Sequence, residues 1–128
     1  MELEKIKIAG LSDIYSVPQV QKEFEKAVNE KWKNNPPWKR YQEKLIQDLA
    51  VLDQEKEKAI DLAQFENLSG EDNLYSIRHP ETKKNVRILY TIEDGVVVLL
   101  TAFLEKNDGD YLKAIRKAKR RRRMLLEE

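Results

Sequence analysis

The sequence predicts an α+β domain: a small antiparallel sheet in the order β-α-α-β-β-β-α, with an N-terminal helical hairpin packed on one face. Three observations lead to this. Leu74–Arg78, Val86–Ile92 and Val96–Leu104 are adjoining runs rich in β-branched and aromatic residues, each bounded by turn residues. Upstream, two stretches with helical apolar spacing flank Asn34-Asn35-Pro36-Pro37. Downstream, a basic segment with apolar residues at helical spacing follows the last run. At 128 residues the chain suits one domain, expected to span residues 1–128, with a core that needs no disulfide or metal.

Taken in order, Glu2 to Gly10 alternates charged and apolar residues through Leu3, Ile6 and Ile8, as a short edge strand does. A turn is expected from Gly10 to Tyr15. Val17-Pro18 then starts a helix with Val20, Phe24, Ala27, Val28 and Trp32 on one side, since proline is favoured in a first helical turn. Trp38 opens a second helix with Tyr41, Leu45, Leu49, Leu52 and Lys56 along one line and Ile46, Ala50 and Asp53 beside it. The two helices make a hairpin over about residues 17–63, and Asn67 to Asp72 form the loop into the sheet.

The meander covers residues 73–106. Glu93-Asp94-Gly95 places a glycine where a three-residue hairpin needs a left-handed residue, and His79 to Asn85 is a longer polar loop. With Ile92 facing Val96, one face carries Val86, Ile88, Tyr90, Val96, Val98, Leu100 and Ala102 and is expected to be core. A mixed face carries Arg87, Leu89, Thr91, Val97, Leu99, Thr101 and Phe103. Pairing Arg78 with Arg87 adds Tyr75 and Ile77 to the core face. It also sets two guanidinium groups side by side, which is unfavourable unless something anionic sits between them. The last helix is expected over about residues 110–126, with Leu112, Ile115 and Ala118 facing inward.

Charge is unevenly spread. Lys113 to Arg123 holds eight of the 24 basic residues and none of the 23 acidic ones, leaving 16 against 23 elsewhere. Such a block suits a polyanion or an acidic partner, and in part the negative end of the helix dipole. Cysteine is absent, which excludes thiol chemistry and fits a reducing compartment. The longest nearly apolar run, Val96 to Leu104, is too short to cross a membrane, and no signal-peptide pattern opens the chain, so a cytoplasmic protein is expected.

Most enzyme signatures are missing. One histidine and no cysteine leave only scattered carboxylates as metal ligands, so no metal or other cofactor is expected. His79 and Ser12, Ser16, Ser69 or Ser76 show no nucleophile context, and no glycine-rich phosphate loop occurs. What remains is cationic surface with aromatics. Arg78, Lys83, Lys84 and Arg87 lie at one end of the meander, and Lys106, Tyr111 and the basic helix, with Lys113, Arg116, Lys117 and Arg120, follow the last strand. Basic side chains hold a nucleic-acid backbone while an aromatic ring stacks on an unpaired base.

At these residues the chain resembles a family. The runs FENLSG, NLYSIR, NVRILYTIEDGVVVLLTAFLEK and YLKAIRKAKRR look like the RelE/ParE toxin superfamily, within its HigB-like branch that includes phage-derived proteins. The likeness covers roughly residues 65–120. It implies a RelE-like fold and the toxin of a type II toxin–antitoxin pair, a ribosome-dependent mRNA endoribonuclease silenced by a cognate helix-turn-helix antitoxin.

In such enzymes no metal is used: the ribose 2′-OH attacks its own 3′-phosphate. By resemblance, Arg87 matches the strand arginine that stabilises the phosphorane charge, and Arg78 the arginine of an L-Y-x-x-R segment. Lys106 matches the basic position after the last strand. Tyr111 resembles the aromatic that stacks on the base or takes part in proton transfer, and Lys83 and Lys84 resemble substrate-contacting lysines. Two departures are visible: no histidine stands near the C-terminus, and Glu105 occupies a position where many relatives have lysine. The superfamily also contains ParE-like members that bind DNA gyrase without cutting RNA. A degenerate phage-derived relative that only binds an antitoxin is the remaining alternative.

Overall fold

The computed structural model describes residues 2–8, 10–29, 38–78 and 85–127. Its elements are β1 (Glu4–Lys5), β2 (Ile14–Ser16), α1 (Val20–Asn29), α2 (Trp38–Glu55), a 3-10 helix (Lys56–Asp61), β3 (Phe65–Asn67), β4 (Tyr75–Arg78), β5 (Asn85–Glu93), β6 (Val96–Glu105) and α3 (Asp108–Leu126). The protein is α+β, with a six-stranded sheet ordered β1-β2-β6-β5-β4-β3 and three α-helices among the described residues.

The sheet is mixed, where the sequence suggested an antiparallel one. β2 runs parallel to β6, pairing Ile14, Tyr15 and Ser16 with Val97, Val98 and Leu99; the remaining pairs are antiparallel. β2 falls where a turn was expected, and β3 (Phe65–Asn67) lies between the expected helical hairpin and the loop expected from Asn67. Each has three residues, too few for an alternation to show, and each exists because a longer neighbour offers it hydrogen bonds. The N-terminal strand is likewise shorter than its alternation suggested, only Glu4 and Lys5 pairing with β2.

Arg78 does pair with Arg87, and Tyr75 and Ile77 face Tyr90 and Ile88. The turn between β5 and β6 differs from expectation. Asp94 and Gly95 both take positive φ, 52° and 77°, giving a two-residue turn that sets Glu93 opposite Val96 and Ile92 opposite Val97. This one-residue change exchanges the faces of the first half of β6, so Val97 and Leu99 join Ile92 and Tyr90. A bulge at Leu100 then restores the parity, so Ala102 returns to the face expected of it, although it pairs with Ile88 and not with Val86.

α1 covers this face: Phe24 and, from α2, Leu45 and Leu49 surround Ile88 and Leu99. Val20, Phe24, Ala27 and Val28 of α1 are buried, as are Tyr41, Leu49 and Leu52 of α2, while Ile46 is 37% exposed. α3 covers the opposite face, which explains why Leu89, Thr91, Val98 and Thr101 are also buried and why β6 reads as an almost unbroken apolar run. Asn107 caps α3 by accepting the Asp110 N–H at 3.0 Å. The inward stripe of α3 is Tyr111, Ala114, Ala118 and Arg122; Leu112, expected inside, is 56% exposed. Two alanines bring the helix close to the sheet, which a leucine there would prevent.

Glu23 of α1 and Arg121 of α3 meet at the edge of β6. Arg121 donates to both Glu23 carboxylate oxygens, at 2.9 and 3.0 Å, and to the Leu100 carbonyl at 2.8 Å. The Ala102 N–H and the Thr101 hydroxyl donate to Glu23 at 3.3 and 3.1 Å. Burial by itself raises the Glu23 pKa, but the hydrogen bond and charge of Arg121, with the Ala102 and Thr101 donors, outweigh it and hold the carboxyl below its ordinary 4.5.

Glu23→Gln keeps the side chain's shape and removes its charge, so the variant should lose about 2 kcal/mol in urea unfolding at pH 7. A carboxyl whose folded pKa is depressed stabilises above its unfolded pKa and loses that contribution as pH falls through the folded value. The difference between wild type and variant should therefore shrink below about pH 4.5; an unchanging difference would mean that charge plays no part.

Candidate active site

On the face under α3, strand alternation places Glu66 of β3, Ser76 and Arg78 of β4, Arg87 of β5 and Phe103 and Glu105 of β6 on one side of the sheet. The first turn of α3 lays Tyr111 over them. The Arg87 guanidinium carbon sits 4.7 Å from the centre of the Tyr111 ring, and Phe103 meets the same ring edge-on at 5.8 Å. A partly desolvated cation–π contact of this kind contributes about 1–2 kcal/mol.

Carboxylates surround the guanidinium. Glu105 Oε2 lies 2.9 Å from Arg87 Nε, as an ion pair and not as an aligned hydrogen bond. Glu66 Oε1 lies 3.7 Å from Nη1, which also donates to the Ser76 hydroxyl at 3.3 Å. The Tyr111 hydroxyl donates to the same Glu66 oxygen at 3.2 Å. Glu66 thus links the arginine and the tyrosine, and with Glu105 it sets negative charge against Arg87.

Exposure sets the chemistry available. Arg87 is 7% exposed, whereas the Glu66 side chain is 44% exposed. A ligand would therefore reach the guanidinium past Glu66. Burial raises the Tyr111 hydroxyl above its ordinary 10.0; the Arg87 charge pulls it back, and Glu66, as charge and as acceptor, pushes it up again, with a net upward shift. The phenol is protonated at neutral pH. The cluster therefore offers one cation, one proton donor and one accessible carboxylate within a few ångströms.

The other sequence candidates divide. Arg78 is adjacent to Arg87 in register, but its Nε donates to the Ala63 carbonyl at 3.3 Å. Lys106, expected near Tyr111, lines a neighbouring cleft at the β6 edge with Lys26, Lys113 and Lys117; Lys117 also pairs with Glu23 at 3.5 Å. Arg116 and Arg120 are exposed on α3. Lys83 and Lys84 lie outside the described residues. The four-arginine run is not uniformly a surface patch: Arg121 binds Glu23, and Arg122 Nε donates to Glu93 and Thr91 at 2.8 and 3.2 Å.

Glu66 and Ser76 were missed as site residues. Both lie within the quoted motifs, but only the pairing of β3 with β4 and β5 shows that they face Arg87. No three-carboxylate or histidine cluster able to hold a metal occurs among the described residues, and no described helix is long and apolar enough to cross a membrane. No protein-family model, curated protein or solved structure matches the chain.

Glu66→Gln removes the negative charge and leaves only a weaker, neutral acceptor for the Tyr111 hydroxyl, so the Tyr111 titration should move down toward 10.0. Carbon-13 NMR of labelled tyrosine reads this directly. An unchanged midpoint would mean that the Glu66 contact is not populated in solution.

Proposed function

We propose that this chain is the toxin of a type II toxin–antitoxin pair, a ribosome-dependent mRNA endoribonuclease of the RelE/ParE kind that stops translation. In this reading α1 and α2 are the helical hairpin of a RelE-like fold, the protein acts in the cytoplasm, and a helix-turn-helix antitoxin silences it. The observation that carries the proposal is the Arg87–Tyr111–Glu66 cluster: two residues chosen for phosphodiester chemistry stand together, 4.7 Å apart, with a partly exposed carboxylate between them.

The reaction is metal-independent. The 2′-oxygen forms a bond to the adjacent phosphorus as its proton passes to Glu66, the exposed carboxylate. Arg87 balances the charge that builds on the phosphorane oxygens. The bond from phosphorus to the 5′-oxygen breaks, and that oxygen takes up a proton; Tyr111 is the proton-bearing group of the cluster. Exposed Arg116 and Arg120 supply further contacts to ribosomal or messenger RNA phosphates.

Induced expression should halt translation and cut translated mRNA, read by primer extension. Arg87→Ala should reduce cleavage by about 100-fold or more while circular dichroism still reports a folded protein. Intact mRNA with accumulating DNA breaks would instead indicate a ParE-like inhibitor of DNA gyrase.

Glu105 favours a second reading. It occupies a place where relatives have lysine and pairs with Arg87 at 2.9 Å, which lowers the cation's power over an incoming phosphate. In a degenerate relative that only binds an antitoxin, the wild-type chain is harmless. Glu105→Lys should then raise cleavage from background if the remaining site is competent.

A further inference from the structure

Strand β6 outruns its neighbour on one side. β2 pairs only with Val97, Val98 and Leu99, whereas β6 continues to Glu105. Beyond the bulge, the antiparallel ladder turns the backbone groups of Ala102 and Leu104 away from β5, as the bond from the Ala102 N–H to Glu23 shows. Arg121 and Glu23 close the edge at Leu100 and Ala102. One step further, the Leu104 N–H and the carbonyls of Ala102 and Leu104 meet no such side chain among the described residues. Backbone groups in this position require a partner.

This edge is the floor of a cleft of about 390 Å³ between α1 and α3. Lys26 stands on the α1 wall, Lys113 and Lys117 on the α3 wall and Lys106 at the end. The two carboxylates there are engaged: Glu23 with Arg121, and Asp110 as acceptor of the Lys106 backbone N–H at 3.0 Å. The cleft therefore combines a row of alternating backbone donors and acceptors with net positive walls.

We infer that this cleft receives an extended acidic peptide from a partner protein, which adds to the sheet as a short strand beside β6. A peptide brings N–H and C=O groups in the alternation that the Ala102 carbonyl and the Leu104 N–H and carbonyl require, while its Asp or Glu side chains reach the lysines. An RNA strand satisfies the lysines equally well. Its phosphates, however, carry acceptors only, and would be set against the two carbonyls. The cleft serves this role whatever chemistry Arg87 performs.

The test uses the full chain and a short fluorescein-labelled peptide of alternating valine and glutamate. Fluorescence anisotropy should show binding, weakened about tenfold or more by the exposed-surface double variant Lys26→Glu/Lys113→Glu. The same peptide N-methylated throughout keeps the charge, loses its donors and should not bind. In the wild-type complex, NMR-detected hydrogen exchange of the Leu104 amide should slow markedly relative to the free protein. Equal binding of the N-methylated peptide, unchanged Leu104 exchange, or no binding at all would overturn the inference. Tighter binding of an oligouridylate of equal charge would assign the cleft to RNA instead.

Discussion

A strand longer than its neighbour leaves backbone hydrogen-bonding groups that something else must satisfy, and this protein repeatedly does so with side chains. At the β6 edge, Glu23 accepts the Ala102 N–H and Arg121 donates to the Leu100 carbonyl, each standing where a further strand's backbone would otherwise be. The Asn73 amide does the same for both backbone groups of Ile92, held in place by a left-handed backbone with φ of 51°. Asp53 at the end of α2 accepts the N–H groups of Ser12 and Asp13, just before β2. The Glu23–Arg121 pair matters most, because its two residues come from helices on opposite faces of the sheet. Satisfying one strand edge thereby sets the position of both layers.

The candidate site depends on that placement. α3 is held at one end by Tyr111 on Arg87 and Glu66, and near the other by Arg121 and Arg122 on Glu23, Thr91 and Glu93. These anchors are roughly 16 Å apart along the helix, with Ala114 and Ala118 packed against the sheet between them. A helix fixed at two points presents Tyr111 to Arg87 in one geometry. The arginine run therefore has two uses, with Arg121 and Arg122 as struts and Arg120 and Arg123 exposed to solvent.

Much of this was legible in the sequence, for identifiable reasons. The meander, the two helices and the Arg78–Arg87 pairing follow from periodicity and turn residues, which are local signals. The parallel pairing of β2 with β6 is not local: Ile14 and Val97 meet only because α1 and the rest of the chain return between them. The bulge at Leu100 has no glycine or proline to announce it, and an uninterrupted apolar run reads the same with or without an extra residue. Composition favoured Leu112 as an inward residue, but close approach of helix to sheet selects the alanines beside it. Glu66 could not be placed beside Arg87 and Tyr111 from the sequence because β3 has three residues and no pattern of its own. Arg87 and Tyr111 were candidates in the sequence by residue type and by their places in a strand and at a helix start, and the fold brings them within 4.7 Å of each other.

The electrostatics of the cluster also suggest an order of events for the proposed reaction. A guanidinium at 7% exposure is tolerable only with counter-charge, and Glu66 and Glu105 supply two negative charges against Arg87 and its neighbour Arg78. The resting site is thus close to neutral, and an entering phosphate must displace one carboxylate to reach the cation. Glu105 is the closer and more buried of the two, at 2.9 Å with 20% of its side chain exposed; Glu66 is at 3.7 Å with 44% exposed. Glu66 is therefore the group that yields. In the proposed reaction Glu66 then faces the arriving 2′-OH as its proton acceptor. Glu105, the closer partner, remains to hold Arg87 in place.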